Sequence, residues 1–124
     1  MEINEGDDMQ KLFALLLLSI SAPAWAATDG NLLYEQCNRT VQSNNDLIPL
    51  TACNNYIVGV VDGYRMSKEG YEWLQIPEGV KGQQLQDIVL KYLKDNPEKR
   101  HWAAVILVMN AVNAAFPHRP TAEK

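Results

Sequence analysis

Apolar residues recur at helical spacing in four stretches of the chain, and the first two stretches form a matched pair. In each of these two, the spacing places the apolar side chains on one face of a helix. The positions are Leu33, Cys37, Thr40 and Val41 in the first stretch and Cys53, Ile57, Val60, Val61 and Tyr64 in the second. Residues 43–46 (SNND) give a turn signal between them, and Pro49 suits the first turn of the second helix. The pattern predicts a helical hairpin.

Two more helices are predicted after a long connection at residues 67–82, which is rich in glycine. The third helix has an apolar face of Leu85, Ile88, Val89, Tyr92 and Leu93 and a polar face of Gln84, Gln86, Asp87, Lys91, Lys94 and Asp95. The fourth is expected to begin with Asn96 as N-cap and Pro97 as its first residue. Between 102 and 116 it is apolar nearly all round, so it is either central in a bundle or shared with a partner.

The two cysteines of the chain, Cys37 and Cys53, fall on the apolar faces of the first two helices. A disulfide between them would staple the hairpin, and we expect this pairing in an oxidising compartment. A redox or metal-binding thiol pair is the alternative, but the chain has no CxxC motif and both histidines are distant in sequence. We therefore expect an all-α fold: a small four-helix, or near four-helix, bundle with one disulfide that joins the first two helices.

The N-terminal segment has the pattern of a secretory signal peptide. Residues 12–20 (LFALLLLSI) form an apolar run after Lys11, and residues 24–26 (AWA) supply the small side chains that signal peptidase requires. We expect cleavage before Ala27 and a mature protein in the periplasm. A membrane anchor is not expected, because the apolar run is about half of the ~20 residues that a span requires.

The start of the chain departs from that pattern, because residues 1–8 (MEINEGDD) carry acids and no base. We interpret these residues as a misassigned start with Met9 as the true initiator, and an acidic leader that export tolerates is the alternative. The expected organisation is residues 1–8 as the misassigned start, 9–26 as the signal peptide and 27–124 as one helical domain.

The charge balance of the chain excludes some partners. The leader holds four of the fifteen acidic residues and one of the eleven basic ones, so the mature net charge is near −1. This balance gives no electrostatic reason to expect binding to nucleic acid, or to a membrane after signal cleavage.

The sequence contains none of the common catalytic or metal-binding motifs. We expect a protein that is not an enzyme, with no catalytic residues, metal ligands or cofactor. His101 is expected to be a partly exposed or cap-packed side chain rather than a general base. Gly59 and Gly63 form a G-x-x-x-G pattern that we interpret as close helix packing. Asp62 and Arg65 flank this pattern, as either a surface ion pair or a partner contact.

Several short motifs follow one another in a distinctive order along the chain. They are Tyr56-Ile57-x-Gly59-Val60-x-Asp62, Ile76-Pro77-Glu78-Gly79-Val80, Val89-x-Lys91-Tyr92-Leu93, Pro97-Glu98-x-Arg100-His101 and Ala114-Ala115-Phe116-Pro117. Together they resemble the Rap/Tai family of periplasmic immunity proteins over residues 31–118. The resemblance implies a protein that inhibits peptidoglycan amidase effectors of type VI secretion by occluding the active site.

The chain departs from this family at two positions. Members often carry a cysteine before the Ile-Pro step and another after the final Phe-Pro, where this chain has Gln75 and His118. The loss of both is expected if the two cysteines pair in relatives. It leaves Cys37 and Cys53 as the remaining pair and implies a looser connection at residues 67–82.

The resemblance makes a protein, a peptidoglycan amidase effector, the expected partner. Aromatic and arginine side chains dominate protein interfaces. The candidate partner-binding residues on or beside the long connection are Tyr64, Arg65, Tyr71, Glu72 and Trp73. For Tyr71 and Trp73, the alternative is that they cover the helical hairpin. The apolar fourth helix also leaves a homodimer open.

Two other functions remain. A periplasmic acid-stress-type chaperone would also be small, helical and disulfide-bonded, but it needs an acid-triggered opening, and two histidines with scattered carboxylates provide no dedicated switch. A structural envelope protein is the third and weakest interpretation.

Overall fold

The computed structural model describes residues 5–18 and 27–118, apart from the side chains at positions 5, 13–18, 68 and 71. The helices in this part of the chain are α1 (Glu5–Leu18), α2 (Gly30–Cys37), α3 (Leu47–Arg65), α4 (Lys68–Trp73), α5 (Gly82–Asp95) and α6 (Ala104–Ala115). Short 3-10 turns precede α3 at Asn44–Asp46 and follow α5 at Pro97–Lys99. The expected all-α fold is confirmed, and α2, α3, α5 and α6 are its four principal helices.

The hydrophobic core lies between these four helices, where α5 packs against α6, α3 and α2. Each helix contributes large side chains that are fully buried, among them Leu33 from α2, Ile57 from α3, Leu93 from α5 and Leu107 from α6. Full burial of one such side chain contributes about 1.5–3 kcal/mol. The apolar faces that the sequence predicts on α3 and α5 are therefore the faces that form the core.

The predicted disulfide between Cys37 and Cys53 is confirmed. It joins the last residue of α2 to the second turn of α3, with the two Cα atoms 5.2 Å apart. Both cysteines are buried in the core. The bond therefore lies inside the hairpin and fixes the end of α2 against α3.

The first helix is shorter than predicted. It ends at Cys37, and both Thr40 and Val41, which the spacing placed on its apolar face, are exposed in the loop that follows. At this point the Asn38 N–H donates to the Tyr34 carbonyl and its side-chain amide donates to the Tyr34 hydroxyl. The helix ends here because the Asn38 backbone leaves the helical range (ψ 37°), and asparagine has a lower helix propensity than residues such as leucine or glutamate.

The predicted long connection at residues 67–82 contains a short helix, α4. The Ser67 hydroxyl caps it by accepting from the Gly70 N–H (2.9 Å), and it also donates to the Tyr64 carbonyl (2.8 Å). A Cβ atom at position 70 would lie 1.9 Å from the Tyr64 carbonyl oxygen. Gly70 is thus required for close approach between α4 and the end of α3, whereas the sequence suggested only an irregular connection.

The fourth helix starts later than predicted. Asn96 does not cap it; its side-chain amide donates to the Tyr92 carbonyl (2.9 Å) and closes α5 instead. A 3-10 turn follows, and α6 begins only at Ala104 because Ala103 is held in an antiparallel bridge with Asp29. The Gly30 N–H donates to the Trp102 carbonyl (3.0 Å), and the Ala104 N–H donates to the Thr28 carbonyl (2.8 Å). The chain preceding α2 therefore sets where α6 starts.

Gly59 and Gly63 do not mediate helix packing, so that interpretation is wrong. Both glycines are exposed on α3, and a Cβ atom at either position would meet no atom within 4 Å. Their helix buries the opposite face, through Cys53, Ile57 and Val61. The two glycines of the G-x-x-x-G pattern therefore lie on the exposed face of α3. The large apolar residues of the helix determine which face is buried.

Helix α1 covers the part of the leader that the structure describes. It includes residues 5–8 of the acidic segment, and Lys11 Nζ lies 3.9 Å from Asp7 Oδ2 on its exposed surface. The expected cleavage site at residues 24–26 lies outside the described residues. Among residues 5–18 and 27–118, no helix is both long enough and apolar enough to cross a membrane.

Candidate functional site

The predicted partner-binding residues lie where α3 ends and α4 begins. Tyr64 and Arg65 form the last turn of α3, and Glu72 and Trp73 end α4. All four side chains are exposed, with Trp73 51% accessible. Tyr71 belongs to α4, but its side chain lies outside the described part of the structure. We call the set Tyr64, Arg65, Met66, Glu72 and Trp73 the α3–α4 surface.

Met66 is the member of the α3–α4 surface that the sequence analysis missed. Its side chain is 87% exposed at the C-cap of α3. The signal that could have identified Met66 is a large apolar residue directly after the end of the helical spacing, close to several aromatic residues. Methionine adapts to irregular apolar surfaces, so its exposure here suits a partner contact.

Asp62 and Arg65 do not form the surface ion pair that one interpretation predicted. Both are exposed, and the ion pairs found among the described residues involve neither of them. Arg65 is therefore open to a carboxylate on another molecule. The second interpretation, a partner contact, stays a prediction.

Trp73 stacks on His118, which brings the end of the described chain to the α3–α4 surface. The ring centroids are 5.5 Å apart and the ring planes differ by 17°. Half of the Trp73 side chain remains accessible, so it is available for contact from outside. The stack also links the segment after α6 to α4.

A second candidate site is an open groove of about 710 Å³ between the start of α3 and the start of α5. We call it the α3–α5 groove; its lining includes Arg39, Leu47, Leu50, Asn54, Gln83 and Gln86. The sequence placed Gln86 on the exposed polar face of the third helix, and this is wrong because Gln86 is only 7% accessible. The helical spacing did not reveal the groove, which forms from elements that are distant in sequence.

The Arg39 charge at the rim of the groove is paired within the protein, whereas the Asp87 carboxylate in the lining accepts, among the described residues, only from the Gln83 side chain. Arg39 contacts Glu35 (3.2 Å) and Asp46 (3.9 Å). The Asp46 carboxylate accepts from the backbone N–H groups of Gln42 and Ser43, both at 3.0 Å, and these bonds hold the Asp46 pKa below its ordinary value. The loop between α2 and α3 is thus fixed around an ionised aspartate.

The described residues offer little that suggests metal or acid–base chemistry. No group of three or more histidine, cysteine, aspartate or glutamate side chains within residues 5–18 and 27–118 is placed to hold a metal ion. Burial raises the pKa of Tyr56 above its ordinary value of 10.0, although a hydrogen bond with the Val105 backbone opposes this shift. That phenol is therefore neutral at physiological pH.

These features define a class: a small helical protein with a stapled helix pair, an exposed aromatic surface and an open groove, suited to binding another macromolecule. The family model for Rap1a immunity proteins matches residues 29–117. The chain belongs to this family, and the membership identifies an immunity protein that binds a toxin effector. The family resemblance inferred from the motif order is confirmed at this level. No curated protein matches the chain, and no solved structure matches it.

Proposed function

We propose that the protein is a periplasmic immunity protein that binds a peptidoglycan amidase effector of type VI secretion and covers its active site. The observation that carries the proposal is the immunity-family match over residues 29–117. The order of short motifs adds the amidase as the class of toxin. The signal-peptide pattern adds the compartment, which is where peptidoglycan is attacked. The protein contributes binding and no chemistry of its own.

The α3–α4 surface supports this mode of action. Trp73 offers a large, half-accessible ring, and Arg65 has no ion-pair partner in the described part of the chain. Tryptophan and arginine are enriched among the few residues that carry most of the energy of an interface. We expect Trp73 and Arg65 to be the principal contacts to the effector, with Tyr64 and Glu72 beside them.

Truncation of the α3–α4 surface should weaken effector binding. Mixed with a peptidoglycan amidase effector from the same genome, the protein should block peptidoglycan cleavage at about one-to-one stoichiometry. Trp73→Ala and Arg65→Glu should each raise the dissociation constant about thirtyfold or more, since truncation of an anchor residue costs about 2 kcal/mol or more. Isothermal titration calorimetry measures the affinity, and loss of turbidity of a peptidoglycan suspension measures cleavage.

Two variants away from this surface serve as controls. Ile106→Ala removes an apolar side chain that is 49% exposed on α6, and Lys94→Glu reverses an exposed charge on α5. Both should bind as the unmodified protein does, and all four variants should retain the helical circular-dichroism signal. Normal binding by Trp73→Ala and Arg65→Glu would place the interface elsewhere. Failure of every amidase from that genome to bind would contradict the proposed function itself.

The periplasmic location makes a separate prediction. Expressed with its own leader, the protein should be recovered from the periplasmic fraction with Ala27 as its first residue, as determined by intact-mass spectrometry. The matched control is Ala26→Arg, which places a large charged side chain where signal peptidase needs a small one and should leave the precursor uncut. A membrane-bound product of unmodified sequence that retains residues 12–20 would contradict the location.

The chaperone alternative would need a fold that opens in acid, and the geometry of the α2–α3 loop does not favour it. Hydrogen bonds lower the folded-state pKa of Asp46. The stabilisation of the loop by the ionised carboxylate is therefore complete at any pH above the unfolded-state pKa. That contribution is lost only as pH falls through the lower folded-state value, below the ordinary aspartate range of about 4. Mild acid therefore leaves this loop intact.

A further inference from the structure

The ammonium group of the half-buried Lys99 is held in place without being neutralised. Its Nζ atom lies 5.8 Å from the centroid of the Tyr92 ring and 5.9 Å from a ring centroid of Trp102, both within cation–π range. The ion pairs found among the described residues do not include it. A lysine side chain loses much rotamer freedom when it is ordered. In this protein the two rings order it before any partner binds, which lowers the cost of binding.

The turn between α5 and α6 places the ammonium group and the Trp102 ring on one side. The Arg100 N–H donates to the Pro97 carbonyl (3.4 Å), and the Trp102 N–H donates to the Lys99 carbonyl (2.9 Å). Residues three apart eclipse each other in a 3-10 turn, so Lys99 and Trp102 share a face. The Trp102 side chain is 40% exposed, and the His101 ring packs edge-on against it at 6.3 Å between centroids. We call the set Tyr92, Lys99, His101 and Trp102 the Lys99 patch.

The acidic side chains closest in the chain to the patch do not neutralise it. Asp95 is paired with Lys91, and the Asp29 side chain caps the start of α2. Glu98 is exposed and forms no ion pair with a described residue. In a 3-10 turn it lies one third of a turn away from Lys99. The positive charge of Lys99 is therefore available to a group on another molecule.

The surrounding charges favour a carboxylate as that group. Arg100 adds a second positive charge without an ion pair in the described part of the chain, and it is held by Tyr34 (3.7 Å to the ring centroid) and by the Leu93 carbonyl (2.8 Å from Nε). The whole chain has a net charge of −4. It therefore lacks the extended positive field that attracts a nucleic acid or an anionic membrane. A local cation beside an exposed tryptophan is instead typical of a protein interface.

We propose that the Lys99 patch binds an acidic segment of the toxin effector, with an aspartate or glutamate side chain of that segment paired to the Lys99 ammonium group and its neighbours packed on Trp102. The inference rests on the proposed function for the identity of the partner. Trp73 lies at the other end of α6, through its stack on His118, so the patch and the α3–α4 surface are about 18 Å apart along that helix. One interface of standard size, about 800 Å² on each partner, is large enough to include both.

The first test needs no effector. A blocked peptide of glutamate residues is titrated at low salt into ¹⁵N-labelled protein, and a blocked glutamine peptide of the same length is the reference. The glutamate peptide should shift the indole N–H signal of Trp102, and the glutamine peptide should leave it unchanged. Lys99→Met keeps an unbranched side chain against the two rings but removes the charge, so the shift should disappear. Lys99→Arg restores the charge and should restore the shift.

The matched control is Lys94→Met, which makes the same replacement on the opposite flank of α5. Lys94 is exposed, and it lies about 160° around the helix from Tyr92 at the helical rotation per residue. This variant should keep the shift of Trp102. The inference is overturned if the glutamate peptide shifts no Trp102 signal in the unmodified protein, or if the shift is unchanged in Lys99→Met.

The second test uses the amidase effector and separates this inference from the proposed function. Lys99→Met should bind the amidase about tenfold more weakly than the unmodified protein, the effect of one hydrogen bond to a charged group. Lys99→Arg and Lys94→Met should bind it with nearly unchanged affinity. A purely structural role for Lys99 would lower the melting temperature of Lys99→Met and leave its affinity unchanged.

The outcomes of this second test differ for the two proposals. If the amidase binds Lys99→Met and the unmodified protein equally, the patch assignment is wrong and the proposed function stands. If the glutamate peptide shifts Trp102 but no amidase from the genome binds the unmodified protein, the patch stands as a site for acidic peptides and the proposed function is wrong.

Discussion

Removal of the disulfide, in a Cys37→Ala/Cys53→Ala double variant, should lower the free energy of unfolding by about 3 kcal/mol, the chain-entropy value for a loop of about 15 residues. The bond spans a sequence separation of 16 residues, so it restricts the unfolded chain over a segment of that size. A small domain has a total stability of about 5–15 kcal/mol, so the loss is a large fraction of it. Urea denaturation followed by circular dichroism measures the change.

The unmodified protein treated with dithiothreitol is the natural control for this prediction. Its stability should fall by a similar amount, while the double variant should be insensitive to the reductant. Two free thiols per folded molecule, measured after purification in air, would show that the bond does not form in solution. Unchanged stability of the reduced protein would show that the bond forms without contributing to the fold.

Alanine at position 30 should destabilise the protein by about 3 kcal/mol, at the upper end of the usual effect of overpacking. A Cβ atom there would lie 2.3 Å from Leu107 Cδ1 and 2.7 Å from the Arg100 carbonyl oxygen. Leu107 is fully buried and cannot move aside cheaply, and Arg100 presents backbone. The start of α2 must therefore move away from α6, which also strains the bond from the Gly30 N–H to the Trp102 carbonyl. Thermal and urea denaturation measure the loss.

Gly59→Ala makes the same substitution where the structure leaves open space. A Cβ atom at position 59 meets no atom within 4 Å, and the residue lies in the interior of α3. Alanine at an exposed helix position is favoured over glycine by about 0.5–1 kcal/mol, so this variant should be slightly more stable than the unmodified protein. If Gly30→Ala proves as stable as Gly59→Ala, the close contact between α2 and the segment before α6 is absent in solution.

The principal helices were predictable because their large apolar residues repeat at helical spacing. Ile57 and Leu93 lie on the predicted faces, and both are buried. The disulfide was predictable for the same reason, since the two cysteines share those faces. Helix ends were less predictable: α2 ends at Asn38, whose backbone leaves the helical range, and the spacing of apolar residues does not report such a local change.

The exposure of the partner-binding candidates was predictable, but not the structure that presents them. Aromatic and basic residues near a predicted loop identified Trp73 and Arg65, and both are exposed. The α4 helix was missed, because its cap depends on the Ser67 hydroxyl and on Gly70 fitting against the Tyr64 carbonyl. The stack of Trp73 on His118 joins residues 45 positions apart, a contact that no local pattern encodes.

Local spacing in this chain is thus enough to specify its helical class, its core faces and its disulfide, because each depends on which residues share one side of a helix. The packing of helices against one another decides the rest. The exposed Gly59, the burial of the Gln86 side chain and the late start of α6 all depend on neighbours from other parts of the chain. The α3–α5 groove depends on them too, since its walls come from three helices and a loop that meet only after the chain has folded.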